Sequence, residues 1–300
     1  MKPAYSITLA AALSGLAACA GAAPRATNGT TSPAEALTAT PLQYRDDVVA
    51  DRLQLQLHNG LDEALQIIAI EFQWAGFSSE VADTRLTISA GQRVDLPVTM
   101  REPECQIDGL VVQPAPDVAG AKVLLTLVDS TTRTAVLSDP NDTLIDIHAA
   151  GCQEEVIRQQ ASITFDDLHV ETVAGRPITV GVLRITRGLA RGELTVLSAT
   201  GTIPFQLSFP GRDGIDPPLM LSSGNDAAEV EVHFGEGRCD AHAVAETKQP
   251  FRFVLQVDLG DGVTRPLELE PDPALHAQML ATVAQGCATL GLDGSLRPEE

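Results

Sequence analysis

The chain carries little positive charge and few aromatic residues. Lysine and arginine together number 20 against 40 aspartates and glutamates, which gives a formal net charge of −20 at pH 7. A surface this acidic repels the phosphates of nucleic acids, so we exclude nucleic acid as a partner. Aromatic residues make up 4% of the chain, so its core must depend on valine, leucine and isoleucine within a hydrophobic content of 44%.

The chain also lacks the short motifs that mark common catalytic and cofactor sites. No G-x-S-x-G, H-E-x-x-H, C-x-x-C, P-loop or dinucleotide fingerprint occurs. The six histidines are scattered, and none lies beside a plausible nucleophile in the sequence. A zinc site on His233, Cys239 and His242 is an alternative, but a disulfide would account for Cys239 fully. The sequence therefore predicts no catalytic residue, no metal and no cofactor.

A membrane-spanning run is missing, and a shorter apolar segment stands at the N-terminus. Ala4–Leu16 follows Lys2 and is shorter than the roughly 20 apolar residues that cross a bilayer. The segment ends in Leu16-Ala17-Ala18-Cys19, which resembles the lipobox of bacterial lipoproteins. The resemblance implies that residues 1–18 are a signal peptide and that Cys19 is diacylated, holding the protein on the extracytoplasmic face of the cell membrane. The alternative is an ordinary signal peptide whose cleavage removes Cys19.

The composition after Cys19 divides the chain into a tether, two domains and a tail. Residues 19–42 are rich in threonine, serine and alanine and show no apolar periodicity, which predicts a flexible tether. We predict a first β-domain at residues 43–157 and a second at 158–292, with the boundary near residues 153–162. Residues 293–300 are expected to form a disordered tail.

The five cysteines include four with a repeated spacing. Setting aside Cys19 leaves an even number in a compartment that favours disulfides. Cys105 precedes Cys152 by 47 residues, and Cys239 precedes Cys287 by 48. An alternating strand pattern precedes the first cysteine of each pair, and an Asp-Pro followed later by Gly-Cys marks the second. The two halves of the chain therefore repeat one structural unit, which predicts the disulfides Cys105–Cys152 and Cys239–Cys287.

Apolar and polar residues alternate along both predicted domains, which indicates half-buried strands. In the first domain we expect one strand face to carry Ile68, Ile70, Phe72 and Trp74. In the second, Gly260-Asp261-Gly262 joins two alternating runs as a hairpin. A helix is expected to close the second domain, with Asp272 as its N-cap, Pro273 in its first turn and Gly286 at its end.

Many short strands separated by turns predict a mainly β fold. The expected architecture is two tandem immunoglobulin-like β-sandwich-type domains, each with one disulfide, the second with a C-terminal helix. The cysteine placement differs from that of antibody domains, since the second cysteine follows a helix. The corresponding segment of the first domain, Asn141–Ala150, is compatible with a helix or a strand. Two small α+β domains are the alternative.

The densest group of polar residues is Arg238-Cys239-Asp240-Ala241-His242-Ala243-Val244-Ala245-Glu246. It resembles a stretch, Arg-Cys-Asp-Pro-His-Ala-Val-Ala-Glu, of uncharacterised lipoproteins from high-GC Gram-positive bacteria, with Ala241 in place of proline. The resemblance covers nine residues and implies no activity. His242 and Glu246 are four residues apart and would pair on one helical turn. Two interpretations stay open: a corner that supports a disulfide, or a contact surface of Arg238, His242 and Glu246.

Two classes of function follow from these patterns. The first is a non-catalytic binding or scaffold module, anchored to the membrane by its N-terminal lipid, with a cell-envelope protein or glycan as its partner. The second is an extracellular hydrolase whose site is assembled from residues distant in the sequence. The missing motifs and the duplicated β-units favour the first class.

Overall fold

The computed structural model describes residues 37–189, 191–211 and 219–291. The predicted signal peptide 1–18, Cys19, the tether as far as residue 36 and the tail 293–300 lie outside these residues. Within the described ranges, no helix is both long and apolar enough to cross a membrane.

The last six residues of the predicted tether belong to the folded part of the protein. They form a strand, β1 (Leu37–Leu42), in which every second residue is buried. Leu37 and Ala39 face the core, and β1 is hydrogen-bonded to strands on both sides. The prediction of a tether through residue 42 was wrong because the short Leu-Thr-Ala-Thr segment gains its strand conformation from strands that lie far along the chain.

The first half of the chain forms one seven-stranded sheet. After β1 and a short helix α1 (Arg45–Val49), its strands are β2 (Arg52–Asn59), β3 (Leu65–Trp74), β4 (Phe77–Ile88), β5 (Arg93–Thr99), β8 (Lys122–Leu127) and β9 (Thr132–Leu137). The strand order is β4-β3-β8-β9-β1-β2-β5. A two-stranded ribbon of β6 (Ile107–Asp108) and β7 (Val111–Val112) interrupts this succession in the chain.

The sheet has two antiparallel parts that share one core. The short parallel pairing of β1 with β9, through Thr38–Val136 and Ala39–Leu137, joins them. Buried side chains from both parts, such as Leu55 of β2 and Leu125 of β8, pack in the same cluster. The two parts therefore cover a common core in the manner of a sandwich.

One predicted strand face differs from the observed face. Ile70, Phe72 and Trp74 are buried as expected, but Ile68 is 38% exposed. The pairing register of β3 shifts between Ile67 and Ala69, so one extra residue enters the strand and Ile67 takes the inward position. A β-bulge reverses the alternation on either side of it, which residue periodicity alone does not reveal.

The second half of the chain is a sandwich of two four-stranded sheets. Its strands are β10 (Ala161–Val173), β11 (Arg176–Arg187), β12 (Leu194–Thr200), β13 (Phe205–Ser208), β14 (Leu219–Leu221), β15 (Ala227–Glu236), β16 (Phe253–Asp258) and β17 (Thr264–Leu269). One sheet has the order β10-β11-β15-β13, and the other β14-β12-β16-β17. The predicted hairpin at Gly260-Asp261-Gly262 is confirmed, because Asp258 pairs with Thr264.

The core of this sandwich contains most of the phenylalanines of the chain. Phe165 and Phe234 from one sheet approach Phe253 from the other at ring-centroid distances of 5.5 and 5.3 Å, in edge-to-face geometry. Such pairs are favoured by the ring quadrupoles in addition to the burial of area. The few aromatic residues are therefore concentrated where the two sheets meet.

A long helix connects the two cores. Helix α2 (Thr143–Gln160) contributes Leu144 to the first core and Val156 and Ile157 to the second, and it continues directly into β10. The segment Asn141–Ala150, for which the sequence allowed either a helix or a strand, is thus mostly the start of this helix. The predicted boundary near residues 153–162 falls on its second half and the start of β10.

The C-terminal helix α4 (His276–Thr289) follows a 3-10 turn (Pro273–Leu275). Asp272 caps that turn, with its carboxylate accepting a hydrogen bond from the Ala274 amide at 2.9 Å. Gly286 does not end the helix as expected but lies within it. A Cβ at this position would overlap the Glu236 carboxylate, so glycine permits the helix to contact β15 closely.

Both disulfides link a helix to the segment that follows a strand. Cys105 is bonded to Cys152 of α2, and Cys239 is bonded to Cys287 of α4. This is the pairing that the repeated spacing favours. The mainly β class, the sandwich-type packing, the two disulfides and the C-terminal helix are confirmed.

Candidate functional site

A cleft of about 940 Å³ lies between α1 and the second sandwich. Its volume is within the range of small-molecule and peptide sites. The lining residues come from three segments that are distant in the sequence. They are Arg45, Val48 and Val49 of α1; residues 198–203 and 205–207; and Gly237, Arg238, Thr247, Lys248, Gln249 and Arg252. The cleft is therefore built where the two halves of the fold meet.

Helix α1 is fixed to the first sheet by a buried carboxylate. Asp47 is 2% exposed. Its carboxylate accepts hydrogen bonds from Gln54 Nε2 at 2.7 Å and from the Tyr44 backbone amide at 3.2 Å. Arg52 contacts the same carboxylate at 3.3 Å. These bonds orient the helix so that Arg45 and Val48 line the cleft.

The opposite wall depends on two glycines that allow backbone segments to meet. The Gly237 amide donates to the Pro204 carbonyl at 2.9 Å, and the Arg238 amide donates to the Ile203 carbonyl at 2.8 Å. A Cβ on Gly237 would lie 2.5 Å from that Ile203 oxygen, and a Cβ on Gly201 would overlap the Phe205 carbonyl. Glycine at both positions is thus required for the turn that carries Ile203 into the cleft.

A third hydrogen bond stabilises the wall that contains Ile203. The Thr202 hydroxyl donates to the Pro250 carbonyl at 2.7 Å, which joins the turn to the loop that follows helix α3 (Ala241–Glu246). Lys248, Gln249 and Arg252 on and beside this loop are therefore held against the same wall. Two backbone hydrogen bonds and one side-chain hydrogen bond therefore fix the shape of this wall.

Basic side chains are concentrated in the cleft, although acidic residues far outnumber basic ones in the chain as a whole. Four of its lining side chains are basic, and no aspartate, glutamate or histidine is among the described lining residues: the basic ones are Arg45, Arg238, Lys248 and Arg252. The lining thus concentrates basic side chains in a chain whose net charge is −20. Clustered cations focus the local potential and attract anions from a surface that otherwise repels them.

Three of these cations have carboxylate partners outside the lining. Arg238 contacts Asp240 at 2.9 Å, and Lys248 contacts Asp46 at 3.7 Å. Arg252 contacts Glu268 at 3.1 Å and Asp51 at 3.7 Å. Asp46 and Asp51 are 71% and 75% exposed at the side chain. Exposed pairs of this kind contribute at most about 1 kcal/mol, so an entering anion can compete for the cations. Among the described residues, Arg45 has no ion-pair partner.

The structure divides the predicted contact residues Arg238, His242 and Glu246. Arg238 lines the cleft. His242 and Glu246 pair on α3 at 3.5 Å, with the i, i+4 geometry expected, but they do not line the cleft. Cys239, beside Arg238, is in its disulfide, so this corner both supports the disulfide and contributes one cation to the cleft.

Sequence reasoning missed Arg45, Lys248 and Arg252. Arg45 is separated from the others by about two hundred residues of chain, so no local motif contains them. The available signal was weak: Lys248 is one of the few lysines in an acidic chain and lies close after Arg238. The four cations come together only because the fold places α1 beside the second half.

A buried histidine next to a cysteine marks a second, structural cluster. His148 is 2% exposed, and its Nε2 lies 3.6 Å from Cys152 Sγ. Trp74 packs edge-on against the imidazole at 5.6 Å. Because Cys152 is bonded to Cys105, its sulfur is not available as a nucleophile. The cluster therefore packs the disulfide against the first core.

Comparisons with known proteins give weak matches. No family model matches the chain, and no curated protein matches it. Among solved structures, the chain is similar to a CsuC–CsuE chaperone–tip adhesion subunit complex from the Csu pili of Acinetobacter baumannii, with 10% identity over 73% of this chain and 91% of that chain and a TM-score of 0.18.

Two further structures show similarity of the same degree. The BSP domain of a biofilm associated protein has 7% identity over 78% of this chain and 58% of that chain, with a TM-score of 0.22. The exo-chitosanase CsxA of Amycolatopsis orientalis has 9% identity and a TM-score of 0.21, over 78% of this chain but only 26% of the enzyme. None of these matches carries an argument about activity, and the sandwich-type fold rests on the strands and cores described above.

Proposed function

We propose that the protein is a non-catalytic binding module, anchored to the extracytoplasmic face of the cell membrane through Cys19, and that it holds its ligand in the cleft between α1 and the second sandwich. The lipobox-like Leu16-Ala17-Ala18-Cys19 supports the anchor. The two disulfides support an oxidising compartment outside the cytoplasm. The partner is a component of the cell envelope.

The observation that carries this function is the cationic cleft itself. One of its walls is fixed by backbone hydrogen bonds, and its described lining offers cations, hydroxyls and amides but no carboxylate or imidazole. Hydrolases commonly use carboxylates or histidines as general acids and bases. The cleft therefore has the groups needed to hold an anion-bearing ligand and favours binding over hydrolysis.

Photo-crosslinking in intact cells tests the location of the ligand site. A benzophenone amino acid at Ile203, which is 37% exposed in the cleft, should form a discrete adduct with an envelope component. The same probe at Val263, which is 49% exposed on the hairpin between β16 and β17, serves as the matched control and should form none. Equal adducts from both positions, or adducts from Val263 alone, would show that the cleft is not the ligand site.

The anchor is tested by replacing its acylated residue. Cys19→Ser should abolish lipidation and release the protein from the membrane fraction or stop its processing, because two or three acyl chains supply the binding free energy, about 0.8 kcal/mol per buried methylene. The intact mass of the mature wild-type protein should show a lipidated N-terminal cysteine. An unmodified N-terminus that begins after residue 19 would contradict the proposed anchor, but it would not bear on the proposed ligand site in the cleft.

A further inference from the structure

We propose that the cleft binds an extended acidic peptide segment that also carries aliphatic side chains. This inference rests on the proposed function, because it assigns a ligand class to the same cleft. Three properties of the described lining support it: the charge, the exposed aliphatic side chains, and the groups that can bond to a peptide backbone.

The charge requires an anionic ligand. The lining brings four cations together, and one of them, Arg45, has no ion-pair partner among the described residues. Lys248 and Arg252 contact Asp46 and Asp51 at 3.7 Å, which is a loose pairing that a closer carboxylate would replace. A ligand with several carboxylates would gain charge-assisted hydrogen bonds from arginine without displacing a buried ion pair.

The aliphatic contacts require an apolar part in the ligand. Val48 on α1 and Ile203 on the opposite wall are 39% and 37% exposed. Both line the cleft, from segments that are distant in the sequence, and a ligand that fills the cleft would cover both. An acidic segment that includes valine, leucine or isoleucine supplies the carboxylates and the aliphatic groups together.

The polar lining suits a peptide backbone. Gln206 lines the cleft from β13, and Ser198 and Thr200 line it from β12. Gln249 also lines it, and its Nε2 atom is buried with no hydrogen-bond partner among the described residues. A buried donor without a partner is costly, and rotation of this amide towards the cleft would let an entering carbonyl or carboxylate oxygen accept a hydrogen bond from it. Amides and hydroxyls pair with the alternating donors and acceptors of an extended chain.

Other ligand classes fit the described lining less well. A fatty acyl chain needs a continuous apolar channel, whereas the lining of this cleft includes charged and polar side chains such as Arg45, Thr200 and Lys248. A neutral sugar commonly stacks on an aromatic face, and Phe205, the one aromatic residue in the described lining, is fully buried. A nucleic acid would extend its phosphates beyond the cleft over a surface with a net charge of −20, whereas a short acidic segment keeps its carboxylates beside the cations.

The test measures binding of a defined peptide to the purified full chain in mild detergent by fluorescence anisotropy. The probe is a fluorescein-labelled octapeptide of alternating glutamate and valine, and the comparison is the isosteric glutamine–valine octapeptide. We expect saturable binding of the acidic peptide and at least about tenfold weaker binding of the neutral one. The double variant Arg45→Glu/Lys248→Glu should weaken binding of the acidic peptide by at least about tenfold.

The matched control changes the same charge elsewhere. Arg85→Glu/Arg93→Glu reverses two exposed arginines of β4 and β5 that do not line the cleft, and it should alter the affinity less than about twofold. An equal loss in both double variants, or equal binding of the two peptides, would overturn the proposal. So would an absence of saturable peptide binding, or displacement of the peptide by inorganic phosphate or laurate at lower concentration. If Ile203 still crosslinks to an envelope component in any of these cases, only the ligand class fails and the proposed function stands.

Discussion

Replacing Arg265 with methionine is expected to lower the free energy of unfolding by about 3 kcal/mol, as measured by urea denaturation. The Arg265 side chain is 4% exposed, and it lies on β17 at the junction of the two halves. Its Nη2 contacts Asp261 Oδ2 at 2.6 Å, and its Nη1 bonds to the other oxygen of the same carboxylate at 2.9 Å. The loss is large because methionine leaves this carboxylate without its buried partner.

The same arginine also holds residues of the first half. Its Nε donates to Gln153 Oε1 of α2 at 3.0 Å, and its Nη2 donates to the Leu110 carbonyl at 3.2 Å. The matched control is Arg158→Met, which removes an exposed i, i+4 pair with Glu154. That control should cost less than about 1 kcal/mol. Equal losses in the two variants would contradict the role of Arg265 as a buried connection.

The pH dependence of stability provides a second readout of this pair. The hydrogen bonds from Arg265 lower the pKa of Asp261 from 3.8 to about 2. Since the pKa is depressed in the folded state, the contribution is fully present above pH 4 and is lost as the pH falls towards 2. Asp261→Asn should therefore remove part of the acid sensitivity in this range. An unchanged stability profile between pH 4 and pH 2 would show that the pair is not coupled to folding.

Removing either disulfide is expected to lower the free energy of unfolding by about 4 kcal/mol. The double variants are Cys105→Ala/Cys152→Ala and Cys239→Ala/Cys287→Ala. The bonds close loops of 47 and 48 residues, so the chain-entropy model assigns them nearly the same contribution. Denaturant midpoints of the two oxidised variants and the wild type measure the effect.

The reduced wild type is the control for the alanine substitutions. It should match the alanine variants when both bonds are reduced, apart from the small cost of replacing buried sulfur at Cys152 and Cys287, which are 0% exposed. A loss below about 1 kcal/mol for either bond would mean that packing of α2 or α4 alone holds the helix in place. Peptide mapping that joined Cys105 or Cys152 to Cys239 or Cys287 would contradict the observed pairing.

The elements set by local pattern could be predicted from the sequence. The alternation of apolar and polar residues predicted half-buried strands in both halves, and the hairpin at Gly260-Asp261-Gly262 joins β16 to β17 as expected. The disulfide pairing followed from the repeated spacing. These features depend on residue periodicity and on the number of residues between cysteines, both of which can be read directly from a single sequence.

The features that depend on long-range packing could not be predicted. Ile68 faces solvent because of a bulge that is defined by the partner strands β4 and β8. The strand conformation of β1 depends on β2 and β9. The cleft needs α1 to pack near Lys248 and Arg252, and no periodicity in the sequence shows this contact. Gly237 signals a turn in the sequence, but its close approach to the Ile203 carbonyl is visible only in the structure.

The position of the bound ligand tests the central claim most directly. Amide chemical shifts of the isotope-labelled chain, recorded during titration with the glutamate–valine octapeptide, would locate the site residue by residue. We predict that the perturbed amides cluster in α1, in residues 198–207 and in residues 247–252, the segments that line the cleft. Perturbations centred on the hairpin between β16 and β17, or an absence of perturbations at saturating peptide, would contradict the assignment of the cationic cleft as the ligand site.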